Sequence, residues 1–273
     1  MKRKAIQIIV TGAGGRMGGR IISLLKESSA LMLAGAVERP DHPALGRDAG
    51  EVAGCGRLHV PVTDQVEKVI DNAQVIIDFS VPSAALDYLK IASEKKCAMV
   101  IGTTGFSNDQ SAQISANAKK IPCVFSPNMS VGVNLLFRLI ADLAKQTGAE
   151  YDLEIIEAHH RHKKDAPSGT ALKLAQILAQ ALGLNLPEIA VYARHGMTGE
   201  RKQNTIGVQS IRAGDIIGEH TVIFGGLGER LEIKHIAQSR DTFARGAIKA
   251  AQWVVHQKPG LYDMMDVLGL RDN

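Results

Sequence analysis

The chain has 273 residues and a mass of 29.3 kDa, room for one large domain or two modest ones. With 45% hydrophobic and 22% charged residues it carries enough apolar surface to offset chain entropy, which excludes disorder as its main state, and 4% aromatics argue against a platform that stacks nucleic-acid bases. The formal net charge of +4 is spread out rather than gathered into a basic arm, which fits a soluble surface or a basic pocket for an acidic small molecule.

Cys55, Cys97 and Cys123 are odd in number and contain no CxxC pair, so a disulfide framework or cysteine zinc site is disfavoured and a cytoplasmic setting is expected. Lys2, Arg3 and Lys4 precede an apolar stretch too short for a signal peptide, and a glycine-rich turn follows at once. No run reaches the ~18 apolar residues of a membrane span. Neither a membrane nor a nucleic acid is expected as a partner.

In chain order, residues 6–10 read as a buried strand and 16–27 as a helix with Ile21, Ile22, Leu24 and Leu25 on its inner side. A second strand is expected over 31–37 and a third over 75–79, followed by a helix opening near Pro82. A fourth strand over 97–101, a helix over 108–118 and a fifth strand over 123–126 continue the alternation. Continuous apolar strands alternating with helices predict an α/β fold, a parallel sheet covered on both faces. Residues 38–61, with Pro40, Pro43, Gly46, Gly50, Gly54, Gly56 and Pro61, interrupt it as a long surface excursion.

The pattern changes near 127–134. A helix is expected over 133–145, a strand over 151–157 and a helix over 170–182 ended by Gly183. Strand-like runs follow at 205–212, 216–224 and 230–237, separated by Ala213-Gly214-Asp215 and Gly225-Gly226-Leu227-Gly228. A closing helix spans 242–256. The expected domains are an α/β unit over 1–130, with 241–273 packing back on it, and an α+β unit with an antiparallel or mixed sheet over 131–240.

Gly12-Ala13-Gly14-Gly15-Arg16-Met17-Gly18 follows the first strand and opens the first helix. Gly12 and Gly14 allow a tight turn and close approach of phosphate to backbone, and the helix N-terminus offers N–H groups and a positive dipole end. Met17 takes the last slot of G-x-G-x-x-G, with Gly18 one residue later. Glu38 ends the second strand, where a carboxylate can accept the adenosine ribose hydroxyls of NADH. Arg39, next in line, suits adenine stacking or the 2′-phosphate of NADPH. Gly102-Thr103-Thr104 and Ser126-Pro127-Asn128-Met129 lie at the carboxyl ends of the fourth and fifth strands, where open α/β sheets bind ligands. The N-terminal unit is therefore expected to be Rossmann-like and to bind a dinucleotide.

Residues 154–170 are the most informative stretch. Cations at His159, His160, Arg161, His162, Lys163 and Lys164 crowd a loop running into a helix that begins after Ser168. Ser168, Gly169 and Thr170 can present N–H and hydroxyl donors to a carboxylate, and His159 and Lys163 can each donate a proton. A metal site from His159, His160 and His162 is disfavoured because neighbouring residues on a strand point to opposite faces, and no metal is expected. A solvated basic loop and a dianion-binding catalytic loop remain as readings of the residues alone.

The run Glu157-Ala158-His159-His160, with Lys163 and Asp165-Ala166-Pro167-Ser168-Gly169-Thr170-Ala171, closely resembles the signature of the dihydrodipicolinate reductase family, also called 4-hydroxy-tetrahydrodipicolinate reductases. The resemblance extends to the glycine turn, Ile101-Gly102-Thr103-Thr104-Gly105-Phe106, Asn128, Ser130-Val131-Gly132-Val133-Asn134 and Ile211-Arg212-Ala213-Gly214-Asp215-Ile216, over essentially the whole chain. Pro127 and Met129 depart from the small residue and aromatic expected there. The resemblance implies reduction of a cyclic dicarboxylate imine by NADH or NADPH in the diaminopimelate route to lysine, with hydride delivered to ring C4. It implies His159 as general acid/base and Lys163 as proton donor. It implies His160, Lys163, Ser168, Gly169, Thr170 and Arg240 as carboxylate ligands, and Gly12, Ala13, Gly14, Gly15, Arg16, Met17, Glu38, Arg39, Gly102, Thr103, Thr104, Ser126, Pro127, Asn128 and Met129 around the cofactor. It further implies domain closure and a homotetramer built through the second domain. A different nicotinamide dehydrogenase and a non-enzymatic redox sensor are the rival readings; the 159–170 loop favours the reductase.

Overall fold

The computed structural model describes residues 5–271, so the basic cluster Lys2, Arg3 and Lys4 lies outside the described residues. In chain order the elements of the first part are β1 (Ile6–Thr11), α1 (Arg16–Lys26), β2 (Leu31–Val37), α2 (Ala49–Val52), β3 (Val62–Thr63), β4 (Val75–Asp78), α3 (Pro82–Lys95), β5 (Ala98–Ile101), α4 (Asn108–Ala118) and β6 (Pro122–Phe125). They continue as α5 (Val131–Thr147), β7 (Asp152–His159), α6 (Gly169–Ala181), α7 (Leu186–Ile189), β8 (Ala190–Val191), β9 (Ile206–Arg212), β10 (Glu219–Gly225), β11 (Arg230–Ile236), α8 (Asp241–Val254), β12 (Gly260–Tyr262) and α9 (Met264–Leu268). One compact unit runs to Val131 and resumes at Arg240; the other is Gly132–Ser239.

The first unit is built on a seven-stranded sheet in the order β12-β6-β5-β4-β1-β2-β3, all its pairs parallel. Alternate strand residues feed two cores, because successive side chains point to opposite faces. Ile8, Val10, Val75, Ile77, Val100 and Val124 pack with α1 and α8 on one side. Ile9, Ile76, Met99, Ile101 and Cys123 pack with Leu89 of α3 and Ile114 of α4 on the other. Burial on both faces explains why these strands read as unbroken apolar runs. Helix α8 presents Ala244, Ala247, Ala250 and Ala251 to the core, and a Cβ on Gly246 would lie 1.7 Å from the carbonyl oxygen of Met129, so only glycine lets the helix pass there.

The strand order reverses at β1, whose neighbours are β2 and β4. Ligands of open α/β sheets bind outside the strand carboxyl ends at such a reversal. The 38–61 excursion contains α2, capped by Asp48 through Gly50 and Glu51 N–H, and leads into edge strand β3.

The second unit has a mixed five-stranded sheet in the order β11-β10-β7-β9-β8. β7 is antiparallel to β10 and parallel to β9. The Ala213–Asp215 turn thus leads β9 across to the far side of β7 rather than closing a hairpin. One face packs Leu153, Ile155, Val208, Val222 and Phe224 against α5 and α6. On the opposite face register aligns Ile211, Ala158, Glu219 and Ile236, and Ile211 and Ile236 are both exposed.

Candidate active site

The glycine turn in the first unit is shaped for close approach. Gly12 has φ +69°, and a Cβ there would stand 2.5 Å from the carbonyl oxygen of Phe79. A Cβ on Gly18 would lie 2.1 Å from the Gly12 carbonyl oxygen, so Gly18 is the glycine that lets α1 pack on the turn. The Gly14 N–H donates to Glu38 Oε2 at 2.9 Å, and the Arg39 N–H donates to Glu38 Oε1 at 2.9 Å. The Glu38 carboxylate is therefore held against the turn. Gly15, Arg16 and Arg39 are exposed, Met17 is half-buried against the core, and Ala13 is buried in it.

Asp78, the last residue of β4, is fully buried and ties three strand ends together. Thr11 Oγ1 and Ser80 Oγ each donate to Oδ1 at 2.6 Å, and Thr103 Oγ1 donates to Oδ2 at 2.6 Å. Burial pushes its carboxyl above the usual range, against the opposing pull of those hydroxyls. The Thr103 hydroxyl is thus engaged inside the protein, while Thr104 is exposed beside it. A Cβ on Gly102 would run into the Phe79 ring at 2.2 Å.

Met129 is 2% exposed and packs in the core, so its side chain is turned away from the surface. Ser126 Oγ donates to the Asn128 carbonyl, and Asn128 Oδ1 accepts the Ser130 N–H at 2.9 Å, which makes this a self-braced turn with Pro127 exposed at its tip. The tight glycine turn, the anchored Glu38 and the exposed Arg39 fit a dinucleotide: backbone N–H groups for phosphate, a carboxylate for ribose and a cation at its edge.

In the second unit, β7 (Asp152–His159) begins one residue later and ends two residues later than the expected 151–157, which carries His159 within the sheet. Glu157 and His159 share the face that α6 covers. Glu157 is fully buried among close polar partners. Arg212 Nη1 donates to Oε2 and Nη2 to Oε1, both at 2.8 Å; the Ser168 N–H donates to Oε1 at 3.1 Å; and His159 Nδ1 stands 2.6 Å from Oε2. Burial pushes Glu157 up, but the bonds from His159, Arg212 and Ser210 outweigh it and hold the carboxyl well below its usual range. Removing one member of such a buried pair typically costs about 3–5 kcal/mol.

An ionised carboxylate only accepts, so the hydrogen of the contact is on His159 Nδ1 and Nε2 is left for chemistry. A Cβ built on Gly218 would lie 3.1 Å from that Nε2. Beside it, His220 is buried with its ring edge-on to His159 at 5.3 Å between centroids. Burial, with the neighbouring charge of His159, lowers His220 to about 3, so it stays neutral. Its Nε2 is 3.1 Å from Ser168 Oγ.

The expected substrate ligands fall in two groups. Lys163 pairs with Asp165 at 3.0 Å, and His160 and His162 stand with ring centroids 6.2 Å apart. Gly169 and Thr170 open α6, whose first-turn N–H groups project from the positive end of the helix. Ser168 is different: it is 2% exposed, its N–H is on Glu157, and its hydroxyl caps α6 through Ala171 N–H and meets His220. Arg240 belongs to the first unit, at the N-terminus of α8. Among the described residues no group of three or more His, Cys, Asp or Glu is placed to hold a metal ion.

Sequence reasoning missed Arg212, Gly218 and His220. Arg212 lies 55 residues from Glu157 and His220 52 residues from Ser168, and only the β9-β7-β10 register brings these strands beside His159. The one available signal was Arg212 within Ile211-Arg212-Ala213-Gly214-Asp215-Ile216, quoted for its resemblance but given no role.

Family models described as dihydrodipicolinate reductase, N-terminus, and dihydrodipicolinate reductase, C-terminus, match residues 6–129 and 132–268. The chain is 55% identical over 266 residues to a 4-hydroxy-tetrahydrodipicolinate reductase of Syntrophus aciditrophicus (strain SB), covering 97% of this chain and 99% of the relative. It is 53% identical to one of Syntrophobacter fumaroxidans (strain DSM 10017 / MPOB), covering 97% and 100%. Among solved structures, a dipicolinate-bound dihydrodipicolinate reductase from Paenisporosarcina sp. TG-14 superposes with a TM-score of 0.73 at 25% identity, covering 96% of this chain and 99% of that one. An amine dehydrogenase from Mycobacterium smegmatis shares the fold at 16% identity and a TM-score of 0.61, covering 95% of each chain.

Proposed function

Since the chain belongs to the dihydrodipicolinate reductase family, and so is a 4-hydroxy-tetrahydrodipicolinate reductase of lysine biosynthesis by the diaminopimelate pathway, we propose how its residues divide that work. The observation that carries the proposal is the 159–170 segment: one histidine locked by a buried carboxylate, one lysine, and a helix N-terminus, all within a single loop. A bound nicotinamide dinucleotide supplies the hydride. Both NADH and NADPH are accepted, Glu38 serving the ribose of the first and Arg39 the 2′-phosphate of the second.

The substrate is a planar ring with two carboxylates, formed as water leaves the 4-hydroxy compound. His160, Lys163 and the N–H groups of Gly169 and Thr170 hold those carboxylates, with Arg240 contributing. The half-exposed Lys163–Asp165 pair is worth about 0–1 kcal/mol, so the ammonium can be drawn to a dianion at little cost. Reduction at ring C4 pushes an electron pair onto the conjugated imine, and a proton must arrive to quench it. His159, through Nε2, is the general acid/base, and Lys163 delivers the proton. Ser168 acts from behind, bracing Glu157 and capping α6.

The assembly is a homotetramer joined through the second sheet, a reading supported by the exposed Ile211 and Ile236 on its uncovered face. The enzyme works in the cytoplasm, supported by three free cysteines of which Cys97 and Cys123 are buried and their thiols pushed up to about 12 by burial. Among the described residues no helix is long and apolar enough to cross a membrane.

Binding of pyridine-2,6-dicarboxylate tests the site. It should inhibit competitively against substrate and raise the melting temperature, and Lys163→Ala should abolish both effects. Equal stabilisation of wild type and variant would remove the loop from carboxylate binding.

A further inference from the structure

The proposed reaction uses His159 but gives no part to the residues behind it. Glu157 sits two residues back on the same strand face, fully buried, with two close polar contacts on each oxygen. The Arg212 fork places a guanidinium N–H on each oxygen and the Ser168 N–H adds a third donor, an arrangement that suits the ionised carboxylate and leaves the His159 contact to be donated from Nδ1. Arg212, on the neighbouring strand and paired in register with His159, supplies two of those contacts as a fork. Its Nη2 also donates to the Asp165 carbonyl at 2.6 Å, and its Nη1 to the Ile211 carbonyl at 2.7 Å. The guanidinium thus bolts the end of β9 to Glu157 and to the loop that carries Lys163.

We infer that Glu157 and Arg212 are positioning residues for the reduction: Glu157 fixes the hydrogen of neutral His159 on Nδ1 and aims Nε2 at the substrate, and the Arg212 fork holds Glu157 in register for it. A histidine serves as acid and base in one cycle only if the same ring nitrogen faces the reacting atom each time. A carboxylate on the other nitrogen enforces that, as it does for histidines that ligate metals. The other groups facing the ring are poor substitutes. His220 is spent on Ser168, His235 lies one strand further along the row beside His220, and Lys163 and Asp165 pair with each other.

The inference rests on the proposed role of His159, and the test separates the two. Glu157→Gln keeps the shape but replaces one oxygen with an NH2, which must face two donors. The relief open to the site is for His159 to move its hydrogen to Nε2 and accept at Nδ1. In full-length protein labelled with 15N-histidine, wild-type His159 should show the Nδ1–H tautomer when neutral, and Glu157→Gln a mixture or the Nε2–H form. With the coupled substrate, kcat of Glu157→Gln should fall about 10-fold or more while the substrate KM stays within about 3-fold. Arg212→Lys, which cannot fork across both oxygens, should fall less and keep the native tautomer in part; it also carries the test if Glu157→Gln does not fold. An unchanged kcat in a folded Glu157→Gln protein, or a wild-type His159 already protonated on Nε2, would overturn the inference. Absence of turnover in wild type would instead overturn the role of His159, while the tautomer signature would still decide whether Glu157 holds the ring.

Discussion

Gly218 stands across from His159 with nothing between them: a Cβ on Gly218 would lie 3.1 Å from the imidazole Nε2. The sheet register extends Ala158 opposite Glu219 by one step to place these two residues side by side. The absence of a side chain on β10's approach keeps the reactive face of the ring open. Gly218→Ala should push the ring off its hydrogen bond to Glu157 or cover Nε2. We expect kcat to fall about 10-fold with NADH affinity unchanged. A variant with full kcat would show that Nε2 needs no such clearance.

Lys163→Ala and His159→Ala should each cut turnover by about 100-fold or more, because general acid–base groups contribute on that scale. Neither belongs to the glycine turn, so fluorescence titration with NADH should give a Kd within about 2-fold of wild type. Normal turnover in either variant would remove that residue from the chemistry.

Gly12→Ala forces an L side chain into φ +69° and sets its Cβ 2.5 Å from a backbone oxygen that cannot swing away. The strain is about 1–3 kcal/mol. Both cofactors should bind more weakly, since the phosphate turn must shift. Arg39→Ala, by contrast, should raise the KM for NADPH about 10-fold and leave NADH nearly unaffected, as expected for one charged contact to a 2′-phosphate. Equal losses for both cofactors would sink that role of Arg39.

His220 binds its proton only near pH 3 when folded but near 6.5 when unfolded. Between those values the unfolded chain holds the extra proton, so stability falls as pH drops below about 6.5, by about 1.4 kcal/mol per pH unit for this group. His235, also lowered by burial, adds in the same direction. Below the usual carboxylate range Glu157, held low in the fold, begins to lose its contribution as well. His220→Gln should flatten the pH 4–6.5 limb of the melting curve by one proton. An unchanged slope would mean that His220 is protonated in the native protein.

The parallel sheet was legible because burial on both faces leaves continuous apolar runs; helix α4 has the expected bounds, and the structure adds the reciprocal cap of Ser107 and Gln110 at its start. The glycine turn and the 159–170 loop were legible because their chemistry is local. β3, β8 and β12 were not: two or three residues carry no periodicity, and neighbours alone make them strands. The support behind His159 was hidden for the same physical reason. Glu157, Arg212 and His220 meet through pairing between strands distant in sequence, and no spacing announces which strands will pair. Ser168, expected as a substrate ligand, also has its N–H on Glu157 and its hydroxyl on His220 and the α6 cap, contacts that no local spacing announced.

The central claim is tested most directly by following NADH and NADPH absorbance with substrate made in place from pyruvate and aspartate semialdehyde by the preceding synthase. Rapid oxidation of both cofactors that requires the synthase and falls about 100-fold or more in His159→Ala is the predicted result. Tight cofactor binding without oxidation, or oxidation at the wild-type rate in His159→Ala, would contradict it.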